Sequence, residues 1–162
     1  MSAFQERFER NERHHHAAQT FALDRSQTYA QEIGYKPSGI WYSVNGDWAR
    51  WCSDEEFRIA HLAIRHKLTL DPGRILALHC AVDVEEFAEN YRTAWPDLPA
   101  SSTLRSIDWP RVASKYAGIE IAPYQWRLRL AEGFTWYYGW DCASGCVWDL
   151  SAVLAFEPEV AA

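Results

Sequence analysis

Residues 36–46 read Lys-Pro-Ser-Gly-Ile-Trp-Tyr-Ser-Val-Asn-Gly, and the predicted fold is built outward from this stretch. Pro37 fixes its own φ and Gly39 permits a positive φ, so the segment begins with a turn. Residues 40–44 alternate aromatic and smaller side chains in the manner of a β-strand. Asn45-Gly46 is a strong signal for a second tight turn. The stretch therefore predicts a strand held between two turns.

Tyr42 and Ser43 are adjacent on this strand, so their side chains point to opposite faces of a sheet. An aromatic ring beside a hydroxyl group, close to a glycine, offers a floor for a flat ligand ring. The alternative is structural: Trp41 or Tyr42 belongs to the core, and Ser43 caps the turn that follows. The sequence leaves both interpretations open.

The order of the predicted elements defines the fold class. Helices are expected at residues 2–20, 47–51, 53–64, 83–91 and 108–116. Asp83 and Asp108 are predicted to cap the last two, and Pro110 to lie in the first turn of the last. Strands are expected at residues 26–31, 40–44, 74–82 and 118–121, and within 134–140, 145–148 and 153–156. Because helices cluster early and strands late, the sequence predicts an α+β fold rather than alternating βαβ units. Residues 1–20 are expected to form a helical extension of one domain that spans residues 21–162.

Length and composition favour one globular domain. The chain has 162 residues, of which 48% are hydrophobic and 23% charged, close to the average of folded proteins. No apolar run approaches the ~20 residues of a membrane span, and residues 1–16 lack the apolar core of a secretory signal. We therefore expect a cytoplasmic protein with no membrane partner. The net charge of −6 argues against a protein that coats nucleic acid.

The candidate metal ligands are four cysteines and a run of consecutive histidines. Cys142 and Cys146 are separated by three residues, whereas zinc sites usually show tighter pairs of ligands, so buried free thiols are favoured. His14, His15 and His16 lie in the charged N-terminal segment and are expected to be solvated on a helix. No metal cofactor is predicted.

Glu120 lies between two isoleucines on the strand predicted at residues 118–121. Its side chain faces away from whatever those isoleucines pack against. If that face lines a cleft, the carboxylate sits on a rigid element beside apolar groups, a position that suits stabilisation of a cationic transition state. The alternative is the polar side of a half-exposed strand. Glu120 is therefore a candidate catalytic residue.

Residues 136–149 read Trp-Tyr-Tyr-Gly-Trp-Asp-Cys-Ala-Ser-Gly-Cys-Val-Trp-Asp and concentrate aromatic side chains around one glycine. Such a strand is either buried on both sides or offers a stacking platform on one face. Asp141 follows the aromatic run, where the strand is expected to end, and is the second candidate catalytic acid. Tyr138 is a candidate ring for stacking on a ligand.

Three motifs carry a resemblance to known proteins: residues 36–43, Tyr-Ala-Gly-Ile-Glu-Ile at 116–121 and Trp-Asp-Cys-Ala-Ser-Gly-Cys-Val-Trp at 140–148. Residues 21–157 fall within this pattern, which resembles a family of small bacterial and phage proteins of unassigned role. Its layout also resembles the ADP-ribosyltransferase fold. That resemblance implies a compact α+β core with two small, mostly antiparallel sheets around a cleft for NAD.

The resemblance also implies a site with an Arg or His on the first strand, a Ser or Tyr on a following strand and a late acid. Carried over to this chain, Arg25 is the first-strand residue. Tyr42 and Ser43 are the second element, with Gly39 and Trp41 beside them as further residues that bind NAD.

The late acid implied by the resemblance is Glu120 or Asp141, because Ser144-Gly145 occupies the position where the family carries Glu. Tyr42 is expected to stack on nicotinamide, and the chosen carboxylate to stabilise the cation formed as nicotinamide leaves. The acceptor of ADP-ribose is left open among protein, nucleic acid and a small molecule. As with a toxin, expression is expected to harm the host.

Two other functions are compatible with the composition. Nine Trp and eight Tyr in an acidic chain suit a non-catalytic immunity or inhibitor protein that binds a basic partner, because these rings anchor protein interfaces. Binding of single-stranded nucleic acid by stacking is disfavoured by the net charge. A transferase should be stabilised by NAD and release nicotinamide, whereas an inhibitor should expose its aromatic residues as a patch.

Overall fold

Antiparallel strand pairing dominates the computed structural model, which describes residues 3–99 and 101–159. The helices in these residues are α1 (Ala3–Arg10), α2 (Asp47–Asp54), α3 (Ala81–Tyr91) and α4 (Trp109–Ala113). The strands are β1 (Arg13–Ala17), β2 (Ile33–Gly34), β3 (Ile40–Val44), β4 (Ile64–Leu70), β5 (Ile75–Leu78), β6 (Arg92–Ala94), β7 (Arg105–Asp108), β8 (Gly118–Ile121), β9 (Ser144–Val147) and β10 (Val153–Glu159). Short 3₁₀ turns occur at Ile59–Leu62, Trp126–Leu128 and Leu150–Ala152.

The strands form two sheets. A seven-stranded sheet has the order β10-β4-β1-β3-β9-β8-β5, and a three-stranded sheet has the order β2-β7-β6. All pairs are antiparallel except β5 and β8, which run parallel. The predicted α+β class with two mostly antiparallel sheets is therefore confirmed. Both sheets were expected to be small, but one of them has seven strands.

Aromatic side chains fill the core between the sheets and helices. Trp109, Trp136, Tyr137 and Trp140 are among the largest fully buried side chains. The ring of Trp136 contacts that of Phe87 edge-on, with centroids 5.5 Å apart, and those of Trp109 and Trp140 at 6.5 and 6.3 Å. Edge-to-face packing of this kind adds to the gain from burying apolar area. Much of the aromatic content is thus structural.

The strand β1 replaces the second half of the helix predicted over residues 2–20. α1 ends at Arg10, and β1 pairs with β3 on one side and β4 on the other. The sequence Arg-His-His-His-Ala has no apolar alternation, so it gives no local indication of a strand. Pairing on both sides imposes the extended conformation. The helical prediction for residues 13–17 is wrong, and they belong to the sheet.

Three other predicted elements are also wrong. Residues 26–31 form no strand. The range 53–64, predicted as one helix, contains the end of α2, a 3₁₀ turn and the first residue of β4. Residues 134–140 form successive tight turns, with Tyr137 N–H donating to Phe134 O at 2.8 Å and Trp140 N–H donating to Tyr137 O at 2.9 Å. A turn lets neighbouring rings enter the core from one side, which an alternating strand cannot do.

The turn and cap signals were more reliable. The strand predicted at residues 40–44 has the bounds of β3, and that at 118–121 has the bounds of β8. Asp108 caps α4 by accepting a hydrogen bond from Arg111 N–H at 3.1 Å, and Pro110 lies in the first turn as expected. Asp83 does cap α3, but from inside its first turn, where its carboxylate accepts from Cys80 N–H at 3.0 Å. Within the described ranges, no helix has the length and apolar character needed to cross a membrane.

Candidate functional site

Three neighbouring strands, β1, β3 and β9, border one cleft of about 360 Å³. The register of the sheet sets which side chains face it. His14 lies opposite Ser43, and Ser43 lies opposite Ser144. Because side chains alternate along a strand, Trp41 and His16 share the face of Ser43 and His14. All five residues line the cleft.

Tryptophan rings form the apolar walls of the cleft. Trp41 and Trp140 meet edge-on with ring centroids 4.9 Å apart. Trp48, on α2, lines the cleft and stacks on Trp51 at 5.1 Å, with the two ring planes 13° apart. Ser43 holds this helix in place, because its hydroxyl oxygen accepts a hydrogen bond from Trp48 N–H at 3.0 Å. The walls can therefore stack on a planar ring.

Basic side chains line the rim of the cleft. Lys36 and Arg58 border it, and neither forms an ion pair with a carboxylate of the described residues. The Lys36 Nζ lies 5.2 Å from the centre of the Trp41 ring. Arg58 has a left-handed backbone, with φ of 47°, at the start of the 3₁₀ turn that brings His61 to the same rim. Two uncompensated cations in an acidic protein make this cleft attractive to an anion.

Two of the histidines of β1, His15 and His16, are held as neutral imidazoles at pH 7. Burial is the main cause of the lowered pKa of His15, and it lowers the pKa of His16 to about 4. His15 Nδ1–H donates to Trp41 O at 2.7 Å, whereas neither buried ring nitrogen of His16 has a hydrogen-bond partner within the described chain. His14 Nε2 is 3.1 Å from the Glu159 carboxylate. His16 therefore has unused hydrogen-bonding capacity beside the cleft.

Asp141 supplies a carboxylate to the cleft. Its side chain is 24% exposed, and its Oδ1 lies 3.3 Å from the guanidinium of Arg129. The adjacent Cys142 is buried, which raises the pKa of its thiol to about 12, so the sulfur is not a nucleophile at neutral pH. Among residues 3–99 and 101–159, no three His, Cys, Asp or Glu side chains are grouped as a metal site.

The structure brings together some of the predicted site residues. Trp41, Ser43 and Asp141 line the cleft as expected. Tyr42 borders it, but its ring is 2% exposed and packs against Gly145, where an added Cβ would lie 2.3 Å from the ring. The Tyr42 ring lies on the opposite face of the sheet from Ser43, so it offers no stacking surface in the cleft. The Trp41 ring lies on the face that borders the cleft.

Three other predicted residues lie outside the cleft. Arg25 donates hydrogen bonds to the carbonyl oxygens of Leu150 and Val153, at 3.3 and 2.5 Å. Gly39 has a positive φ and lies so close to β9 that an added Cβ would be 2.5 Å from Val147 O, so its role is in strand packing. Tyr138 is 56% exposed and contacts Arg129 rather than the cleft. The resemblance implied Arg25, and the two motifs at residues 36–43 and 136–149 suggested Gly39 and Tyr138. Where each of them lies relative to the cleft depends on the fold and not on neighbouring residues.

Glu120 is fully buried on the face of the sheet opposite the cleft. Its carboxylate accepts from Arg13 Nε at 2.6 Å, Arg13 Nη2 at 3.0 Å and Asn11 Nδ2 at 3.0 Å. A buried carboxylate is costly unless it is paired, and these contacts compensate for the loss of water. β3 and β9 separate β1 from β8, so the contact requires a curled sheet. The geometry assigns Glu120 to the core, unlike its predicted catalytic role.

Sequence reasoning missed several groups that line the cleft. The histidines of β1 are predicted on a solvated helix, and Trp48, Arg58 and His61 are not among the predicted site residues. The one usable signal was Trp48, which follows the turn that ends β3 and so must lie near that strand. No local pattern marks Arg58 or His61, because the cleft reaches them only through the fold.

Comparison with protein-family models, with curated proteins and with solved structures finds no match for this chain. The function therefore has to be inferred from the cleft itself.

Proposed function

We propose that the cleft binds NAD and that the protein is an ADP-ribosyltransferase-like enzyme. The observation that carries the proposal is that β1, β3 and β9, three adjacent strands, meet at one cleft. β1 supplies imidazole groups, and β3 supplies the Ser43 hydroxyl group and the Trp41 indole ring. The segment just before β9 supplies the Asp141 carboxylate. This is the order of elements that the resemblance implies. The first-strand residue is then a histidine of β1, in place of Arg25.

The contents of the cleft match the parts of NAD. Lys36 and Arg58 lie at the rim, form no ion pair with an acid of residues 3–99 or 101–159, and can bind the diphosphate. The Trp41 and Trp48 rings can stack on nicotinamide or adenine. The volume of about 360 Å³ lies in the range of small-molecule sites.

Asp141 is the carboxylate that would act on the bound dinucleotide. As the bond between the ribose carbon and the nicotinamide nitrogen breaks, its electron pair goes to the ring nitrogen and the sugar gains positive charge. A carboxylate beside the sugar stabilises that charge. The nucleophile of the acceptor then bonds to the ribose carbon and releases its proton. Arg129, paired with Asp141, would hold the carboxylate in place.

The test is nicotinamide release from NAD by wild-type protein and by Asp141→Asn. We expect the variant to lose at least about 100-fold in rate, because removing one electrostatic contact to a transition state costs that much, while its melting temperature stays nearly unchanged. Glu132→Gln is the matched control, since Glu132 is an exposed acid of the same segment. Undiminished nicotinamide release by Asp141→Asn would contradict the mechanism.

A non-catalytic interaction protein is the second candidate, favoured by one specific observation. Trp126, Leu130 and Tyr138 are 65%, 83% and 56% exposed, and the guanidinium of Arg129 lies near the rings of both Trp126 and Tyr138. Exposed rings and arginine are typical anchors of protein interfaces. Absence of both NAD-dependent stabilisation and nicotinamide release would favour this function over the transferase.

A further inference from the structure

A second groove, of about 410 Å³, runs along β5, far in the sheet order from β1. Its floor is formed by Leu76, Ala77 and Leu78. α3 provides one wall, and the end of α4 with the residues after it provides the other. None of the residues predicted for the NAD site lines this groove.

The floor of the groove is a sheet edge that no other described strand pairs with, and its residues Ile75 and Ala77 are 4% and 5% exposed. β5 is the last strand of the seven-stranded sheet and pairs on one side only, with β8, within the described part of the chain. Ala117 N–H donates to Arg74 O at 2.9 Å, and Ala122 N–H donates to Leu78 O at 3.1 Å, so the carbonyls of these even-numbered residues point towards β8. Since backbone groups alternate in direction, those of Ile75 and Ala77 point to the free edge.

Such an edge selects its occupant by backbone hydrogen bonds. A row of unpaired N–H and C=O groups is a template for another strand. Extended peptides bind proteins in this way, with affinity from the main chain and specificity from pockets for alternate side chains. The groove beside β5 therefore fits an extended segment better than a compact ligand.

The charged side chains of the groove walls indicate which charge a bound peptide should carry. Arg111 and Lys115 both lie over the Tyr91 ring, with the guanidinium carbon 5.2 Å and the Nζ 5.9 Å from its centre. Arg111 Nη1 donates to Asn90 O at 2.8 Å. Neither cation forms an ion pair with an acid of the described residues. Arg111 and Lys115 lie near the start of β5, because the chain that carries them leads to Ala117, whose N–H donates to Arg74 O.

The acids of the groove lie towards its other end. The carboxylate of Asp83 already accepts from His79 N–H at 2.7 Å and from Cys80 N–H at 3.0 Å. Glu86 is exposed on the same wall. The groove is thus cationic beside the start of β5 and acidic beside its end. A bound peptide would therefore place its acidic side chains beside the start of β5, next to Arg111 and Lys115.

We propose that the β5 groove is a docking site for an extended peptide segment with acidic side chains, bound as an additional strand along β5. The proposal is independent of the function assigned to the cleft. It requires the backbone of the partner for pairing, and Arg111 and Lys115 for the recognition of charge.

The test uses a fluorescein-labelled peptide, Thr-Val-Asp-Val-Asp-Val-Thr, and its fluorescence anisotropy with the full chain. We expect saturable binding with a Kd between about 1 μM and 1 mM, as for small transient interfaces. The double variant R111E/K115E should bind at least about tenfold more weakly. R7E/R10E, which reverses two exposed charges on α1, is the matched control and should bind like wild type.

Two peptide variants test the strand geometry without altering the protein. N-methylation of alternate residues removes the N–H donors from one edge of the peptide strand. Methylation of the residues whose N–H groups face β5 should abolish binding, whereas methylation of the residues between them should not. Equal binding by both methylated peptides, undiminished binding by R111E/K115E, or no saturation up to about 1 mM would each overturn the proposal. A dimer of the chain that R111E/K115E dissociates would also overturn it, because the occupant would then be a second copy.

Discussion

At the scale of single residues, the carboxylates of Glu120 and Asp141 lie in opposite environments, one in the core and one in the cleft. Both are acids next to apolar segments, and sequence alone made them equivalent candidates. Glu120 is fully buried and bound by Arg13, whereas Asp141 lines the cleft. The difference arises from the face of the sheet on which each side chain lies.

Glu120→Gln is expected to destabilise the fold rather than to affect chemistry directly. The amide keeps some hydrogen bonds but removes the charge that compensates the buried guanidinium of Arg13, which is 4% exposed. Breaking a buried pair by removing one partner costs about 3–5 kcal/mol. The free energy of unfolding in urea measures this loss.

The control for this substitution is Glu132→Gln, which changes an exposed acid and should stay within about 0.5 kcal/mol of wild type. Replacing both partners, as in R13M/E120L, should recover much of the lost stability, because no buried charge is left alone. If Glu120→Gln unfolds within about 1 kcal/mol of wild type, the ion pair is not the structural contact described above.

At the scale of elements, β1 has the least expected conformation and determines the character of the cleft. Its run of histidines pairs across to β4, where His66 is fully buried and stacks on Phe156 at 4.7 Å. Burial is the first cause of the lowered pKa of His15, His16 and His66. This strand therefore makes the stability of the protein depend on pH.

The sign of that dependence follows from the direction of the shifts. The unfolded chain binds protons at its histidines near pH 6.5, whereas native His16 binds one only near pH 4. The unfolding free energy is therefore complete above about pH 6.5 and falls as the pH falls from there towards 4. Denaturation curves at successive pH values should show this decline.

His16→Gln should flatten the decline, and His61→Gln, which alters an exposed histidine, should not. The carboxylates of Asp83 and Asp149 do not contribute to this decline, because their hydrogen bonds outweigh the opposing effect of burial and lower their pKa values from 3.8. Their contributions are present above pH 3.8 and are lost only below it. A stability that is constant between pH 6.5 and 4 would show that these imidazoles are not buried in solution.

At the scale of the whole molecule, the cleft joins segments that are far apart in sequence. β1, β3, the turn at residues 58–61 and residues 139–144 all contribute to it. A ligand that bridges them binds the folded state alone, and its binding energy adds to the stability of the entire fold. The proposed function therefore has a readout that does not depend on turnover.

We expect NAD at about 100 times its Kd to stabilise the protein by about 2.7 kcal/mol. For a chain of this length each kcal/mol raises the melting temperature by about 2–4 °C. K36A/R58A, which removes the two unpaired cations, should lose most of this shift, while R7E/R10E should retain it. An equal shift in K36A/R58A would mean that NAD binds elsewhere.

The sequence predicted those features of the fold that local chemistry controls. Turn residues gave the bounds of β3, Asp108 with Pro110 gave the start of α4, and the apolar pattern around Glu120 gave β8. It failed for β1 and for residues 134–140, where local propensity was overridden by pairing and packing. Of the predicted site residues, Trp41, Ser43 and Asp141 line the cleft.

What the sequence determined by itself was the α+β class, the positions of turns and caps, and a concentration of rings and acids in two motifs. These follow from interactions between residues a few positions apart. Only the tertiary structure decided which face each side chain occupies, since one strand register sends His14 and Ser43 to the cleft and Tyr42 and Glu120 to the core. Here the register pairs strands that are distant in sequence, and a shift of one residue would send every side chain to the other face.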